Sequence, residues 1–315
     1  MNRHRFHSSA SLLVLLTVMV SAACGRDDNG FDLEGSLVPA EKIHLGGPPR
    51  DGIPSVDQPR FVIAAQVDFL ADSDRVLGLI QGGQAKAYPV AIMNWHEVVN
   101  DQIGKESIAI TYCPLCGTGI AFKSEAQGMQ LGFGVSGLLY NSDVLLYDRE
   151  TESLWSQLLM QAVAGPLMGE RLTAVPLVHT SWRAWRMEHP DTLVLSTETG
   201  FVRDYSRDPY AGYAGRSDIY FPVSAESSRY HPKERVLGIE IDGRFKAYPF
   251  AELSRTGKRR ISDSFAGRLL TVSFDETAGS ARAFDRDGRE LATVTGFWFA
   301  WYAFHPGTEV FSADL

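Results

Sequence analysis

RVLGLIQGGQAKAYPVAIM, Arg75 to Met93, returns as RVLGIEIDGRFKAYPFAEL, Arg235 to Leu253, with about half of the aligned positions identical. Each copy reads as a strand, a turn at Gly82-Gly83 or Asp242-Gly243, a second strand, and then a proline that opens a helix. The match continues more faintly. SIAITYCPLCGTGIAF aligns with RLLTVSFDETAGSARAF, which sets Cys113 to Cys116 opposite Phe274, Asp275, Glu276 and Thr277. Between these landmarks the chain shows short strand-like runs such as FVIAAQV, punctuated by Gly and Asp turns. Helical patterns are few: VAIMNWHEVVN after Pro89, and a segment from about Ser181 to His189 that Pro190 closes. The expected fold class is α+β, predominantly β: two β-rich pseudo-repeats with a few short helices.

Outward from the repeat, the N-terminus has the layout of a secretory signal peptide. Arg3 and Arg5 precede an apolar run from Leu12 to Val20, and Ser21, Ala22 and Ala23 lead to Cys24. A small residue just before a cysteine also fits lipoprotein processing, in which Cys24 is acylated and becomes the mature N-terminus. The expectation is an exported protein on the cell envelope, lipid-anchored at Cys24 on the periplasmic face of a membrane, or secreted. The chain then divides into a signal segment (1–23), a Gly, Pro and Asp-rich tether and lead-in without strand or helix period (24–58), a first repeat with the cysteine motif (59–198), a Tyr and Gly-rich connection (199–230) and a second repeat without cysteines (231–315).

Roughly 290 residues remain after the signal segment, enough for one large or two ordinary domains. An apolar content of 44% and a charged content of 22% fit a globular core. The net charge of -8 argues against nucleic acid as a partner, since phosphate contacts need a basic face. Partners are expected among small molecules, metals or proteins.

Cys113-Pro114-Leu115-Cys116 carries the chemistry the sequence offers. Cysteines at i and i+3 in a turn bring their sulfurs close enough for a reducible disulfide. A duplicated scaffold repeats its core residues, whereas a reactive group is needed once, and the cysteines occur in one copy only. Gly117, Thr118 and Gly119 follow the motif and argue against a helix there. Any lowering of the thiol pKa must therefore come from a neighbouring cation or from turn amides. His96, on the helical segment before the strand that delivers Cys113, is the candidate base, with Glu97 and Asp101 placed to orient it or to face water.

A second block, GVSGLLYNSDVLLYDRETESLWSQ, reads as two strands joined at Asp148 to Glu150, with Ser136, Asn141, Asp143 and Arg149 as candidates to line a pocket beside the thiols. His189-Pro190, His231-Pro232 and His305-Pro306 fit turns or helix ends, because proline forces its predecessor out of helical geometry. The connection from Thr199 to Val223 is a long ordered loop and a candidate lid over the cysteines. The run FWFAWYAF, Phe297 to Phe304, reads as core packing of the second copy.

NWHEVVND, TYCPLCGT, SGLLYNSDVLLYDRETESLW, ETGFVRDYSRDPY, YHPKERVLG and FWFAWYAFHPGTEV together resemble a bacterial family catalogued as domain of unknown function 3179, from about Gly52 to the end. The resemblance confers no activity. Selenocysteine in the cysteine motif of some relatives implies redox chemistry at Cys113 and Cys116 by analogy, and leaves the substrate unnamed.

Three functions follow. The first is thiol-disulfide or thiol-peroxide redox chemistry on a small-molecule or protein substrate, with Cys113 attacking, Cys116 resolving and His96 as base; it needs no cofactor. The second is copper or zinc binding and delivery by Cys113, Cys116 and His96, for which a full zinc site wants a fourth ligand. The third is a non-catalytic surface binding module in which a Cys113-Cys116 disulfide only stiffens a turn.

Overall fold

The structure, a computed structural model, describes residues 28–314; the expected signal segment and Cys24 lie outside the described residues. Over the described residues the fold is mostly β, with several sheets, four short helices and no closed barrel. Among the described residues no helix is long and apolar enough to cross a membrane.

Both copies of the repeat build the same unit. Strand Arg75–Gln81 pairs antiparallel with Gln84–Pro89, and Arg235–Ile241 pairs with Arg244–Pro249, with Val76 opposite Pro89 and Val236 opposite Pro249. Pro89 and Pro249 then sit at the N-caps of α1 (Val90–His96) and α3 (Phe250–Arg255). The helix expected over VAIMNWHEVVN ends early. Glu97 takes a left-handed conformation, φ 57°, and the two valines after it begin strand Val98–Ile103, where β-branched side chains pack well. The second expected helix is α2 (Trp182–Glu188), whose first turn is capped by Ser181 Oγ accepting the Ala184 N–H at 3.3 Å.

The repeat extends further than the aligned sequence. Leu177–Ser181 pairs with Arg75–Gln81 and leads into α2; Val294–Phe297 pairs with Arg235–Ile241 and leads into α4 (Trp298–Phe304). Trp185 and Trp301 lie flat over Gly78 and Gly238, so close that a Cβ at either glycine would meet the ring at 2.3 or 2.2 Å. Their indole N–H groups donate to Thr192 and Thr308 at 2.9 and 3.0 Å, and His189 and His305 close the two helices. Strands Leu193–Leu195 and Glu309–Val310 then run parallel to the second strand of each hairpin. FWFAWYAF is thus the second copy's helix as well as core.

Each copy also owns a three-stranded meander. In the first it comprises Val98–Ile103, Glu106–Cys113 and Thr118–Lys123; in the second, Arg260–Phe265, Arg268–Asp275 and Ser280–Phe284. Each meander packs its core against its own copy's hairpin and helix, and at its edge it reaches the other half. Gly119 of the cysteine meander pairs with Thr295 of the second copy, so one eight-stranded sheet runs through both, while the other meander packs on Leu177–Ser181 of the first copy. Arg75 and Arg235, equivalent residues of the two copies, both donate to the Gly279 carbonyl, at 3.0 and 2.8 Å.

One insertion breaks the symmetry. The second copy passes from its meander to Val294–Phe297 through residues 285–293, whereas the first uses residues 124–176. Those residues form strands Phe133–Tyr140, Asp143–Asp148, Leu154–Ser156 and Gln161–Ala164, joined at the edge by Ile43–Leu45. The lead-in, expected to lack strand structure, therefore supplies an edge strand, and its Val56 bridges to Val99.

Candidate functional site

The strand ladder aligns the two meander turns and shifts the sequence alignment by one residue. Cys113 pairs with Thr118 across its turn and Asp275 pairs with Ser280 across the other. Cys113 to Cys116 therefore stand opposite Asp275 to Ala278, and Gly117 opposite Gly279, both with positive φ. The second turn is an internal control for the first. There the Asp275 carboxylate accepts the Ala278 N–H at 2.9 Å; here the Cys113 sulfur faces the Cys116 N–H, which pulls its pKa down. The place occupied by Cys113 is one that a carboxylate fills in the sister copy.

The insertion delivers the rest. Its hairpin turns at Asn141 and Ser142, both with positive φ, and carries Asp143 to the thiols. The sulfurs of Cys113 and Cys116 and a carboxylate oxygen of Asp143 all lie within 4.8 Å of one another. Cys113 and Cys116 are free thiols, 2% and 0% exposed. The Cys116 thiol donates to the Ser142 carbonyl at 3.2 Å, and Cys113 lies 3.9 Å from the same oxygen. Asp143 is held by the Leu158 N–H at 3.1 Å.

Electrostatics here differ from the expected acidic thiol. Burial pushes the Cys113 thiol up, the Asp143 and Glu97 carboxyls push the same way, and the Cys116 thiol and amide oppose them. Cys116 is pushed well up by burial and by Cys113. Cys113, the less strongly raised, is therefore the first of the pair to ionise. Burial raises Asp143 to about 7, against the donors that surround it. Glu97, driven inward by its left-handed backbone, reaches about 8 through burial and the nearby Asp143.

His96 is not at the thiols. Its Nδ1 donates to the Pro54 carbonyl at 2.7 Å, which leaves Nε2 to accept from the Tyr205 hydroxyl at 2.6 Å, and burial lowers its pKa. Both ring nitrogens are engaged, so His96 holds the connecting segment through Tyr205 rather than a proton or a metal at sulfur. Asp101 pairs with the buried Lys86 at 2.6 Å and accepts from Tyr88. Lys246, Asp263 and Tyr248 repeat that arrangement in the other copy, which marks it as scaffold.

Of the four pocket candidates the structure brings Asp143 alone to the thiols. Ser136 stitches a bulge in its own hairpin, donating to the Leu145 carbonyl and accepting the Leu138 N–H. Asn141 ties the insertion to α4 and to the connecting segment, donating to the Ala303 carbonyl and accepting the Ser224 N–H. Arg149 is engaged with Ser55, Asp51 and Asp57. The connecting segment packs on the same apolar cluster through Tyr210, Tyr213, Ile219 and Phe221, and of these Tyr210 lies near Cys113 and Tyr213 near both cysteines. Sequence reasoning missed Glu97 as an inward group and Tyr213 altogether. A signal existed for Glu97, because the second copy spends three more residues between the end of its helix and the equivalent position, Arg259.

Comparison with known proteins gives one match of whole-chain scale: the family model described as protein of unknown function (DUF3179) covers residues 50–292. No curated protein and no solved structure matches the chain.

Proposed function

The chain belongs to the DUF3179 family, whose description assigns no activity, and from the site alone we propose that it is a dithiol redox protein working by thiol-disulfide exchange with low-molecular-weight disulfides. The observation that carries this reading is the Asp143 carboxyl set against both thiols in the interior. A buried dithiol cannot ionise into water, so exchange needs a proton acceptor inside, and Asp143 replaces the expected His96 in that role. Asp143 takes the Cys113 proton. The Cys113 thiolate forms a bond to one sulfur of the substrate, the substrate S–S bond breaks, and the departing half takes a proton and leaves as a thiol. Cys116 then loses its proton, bonds to the Cys113 sulfur and releases the second half as a thiol. The substrate gains two electrons, the protein ends as the Cys113-Cys116 disulfide, and both thiol protons leave on the two products.

Burial under Tyr210 and Tyr213 favours small substrates over protein disulfides. The N-terminal pattern adds export and a lipid anchor at Cys24, which would hold the protein on the cell envelope in an oxidising compartment. The test is anaerobic reaction of reduced protein with a small aliphatic disulfide, followed by mass and free-thiol content. Loss of both thiols with no adduct is expected. Cys113→Ser should abolish reduction of the substrate, and Asp143→Asn should slow it roughly 100-fold or more. A Cys113→Ser variant that reduces the disulfide at the wild-type rate sinks the reading.

A further inference from the structure

Among the described residues no ammonium or guanidinium forms an ion pair with Asp143 or Glu97, and with Cys113 and Cys116 these make four buried acidic groups. The Lys233 ammonium acts on Cys116 from over the Tyr213 ring, 3.9 Å from its centre, but its hydrogen bonds go to the Arg216 and Asp218 carbonyls at 3.3 and 2.6 Å. Two hydroxyls at the site have no side-chain partner. The Tyr213 hydroxyl, on a side chain only 3% exposed and close enough to both cysteines to be raised by them, has only the Tyr220 backbone beside it, and the buried Ser142 hydroxyl makes no hydrogen bond. Native interiors rarely leave such groups unmatched.

We propose that the reduced protein binds one divalent ion of the zinc class through Cys113 Sγ, Cys116 Sγ and an Asp143 carboxylate oxygen. The spacing fits: two thiolates on one tetrahedral ion stand about 3.8 Å apart, and all three donor atoms already lie within 4.8 Å of one another. Donor chemistry selects the ion. Two sulfurs alone suit Cu(I), but the third donor is a hard carboxylate, which favours a borderline divalent ion. Three protein ligands leave one position of a four-coordinate ion for a water or small ligand, and the Tyr213 hydroxyl, the nearby group without a side-chain partner, is the candidate to hydrogen-bond it. His96, the ligand expected from sequence, has no free nitrogen to offer. The sister turn, with Asp275 and Ala278 at the equivalent positions, cannot form such a site.

This inference does not rest on the exchange chemistry. It is tested on chelator-stripped, reduced full-length protein without oxidant, whereas the exchange assay is run with chelator present, so either can fail alone. Cobalt(II) titration should saturate at one ion per chain, with thiolate-to-cobalt charge-transfer absorption and intense visible bands of a four-coordinate ion, and zinc(II) should displace it. Asp143→Asn should weaken uptake at least 10-fold and Tyr213→Phe by a smaller factor, while His96→Gln leaves it unchanged. Absence of the charge-transfer band in wild-type protein overturns the proposal, as does uptake indifferent to Asp143→Asn or uptake of Cu(I) but of neither divalent ion.

Discussion

His305 sets an acid limit on the fold. It closes α4, stacks on Phe245 at 3.8 Å between ring centres, and is pushed down to about 4 by burial and by the Arg171 guanidinium. The unfolded chain binds this proton more readily than the folded one. The stability it supports is therefore complete above its ordinary value of 6.5 and falls away as pH drops toward 4, by about 3 kcal/mol in all. Chemical denaturation of wild type and His305→Gln at pH 7.5 and pH 4.5 measures it; the variant should lose less stability over that interval, and equal losses would refute the assignment. At this scale the sequence was informative where residues are asymmetric between the copies. Cysteines present once in a duplicated frame pointed to the corner where two sulfurs meet a buried carboxyl, and Asp143 stood among the candidates. The direction of a side chain was not legible: His96 and Asp143 lay at comparable distances along the chain from the motif, and only the insertion's path decides which one meets sulfur.

Among the elements, the two Trp-bearing helices are fixed by glycines on the strands beneath them. Gly78 and Gly238 are the close-approach points, since no side chain fits under the indole rings. Gly238→Ala should cost about 1 to 3 kcal/mol through overpacking, read as a lower midpoint in urea unfolding with an unchanged slope. A variant as stable as wild type would show that α4 shifts at no cost. Hairpins and proline-opened helices were legible because turn chemistry and φ restriction are local. The second pair of repeated elements was not. Trp182, Trp185, His189 and Pro190 recur as Trp298, Trp301, His305 and Pro306, but their neighbours differ enough to hide the match inside apolar runs that read as generic core. The end of α1 was misplaced because one residue, Glu97, adopts a conformation usually left to glycine or asparagine.

For the molecule as a whole, the halves meet in the Gly119–Thr295 sheet contact and in Arg75 and Arg235 on the Gly279 carbonyl as well as through the connecting segment. Val202, 96% exposed, lies in that segment away from the strands that cross between halves. A protease site inserted there and cut in the folded protein should leave one species in size-exclusion chromatography, with dissociation only in denaturant. Two separated fragments under native conditions would show that the crossed sheet contributes little. The repeat told of two copies but not of their joining, because pairing of Gly119 with Thr295 depends on chain segments far apart in sequence.

That joining describes a dimer written into one polypeptide. Cut at the connection and made identical, the halves would be two protomers joined edge to edge, with a corner like that of Cys113 on both. In the single chain the two corners differ: one is met by Asp143 from its own insertion, and the other is a carboxylate-capped bend. A symmetric dimer on the same plan would carry two corners of one kind where this chain carries one of each.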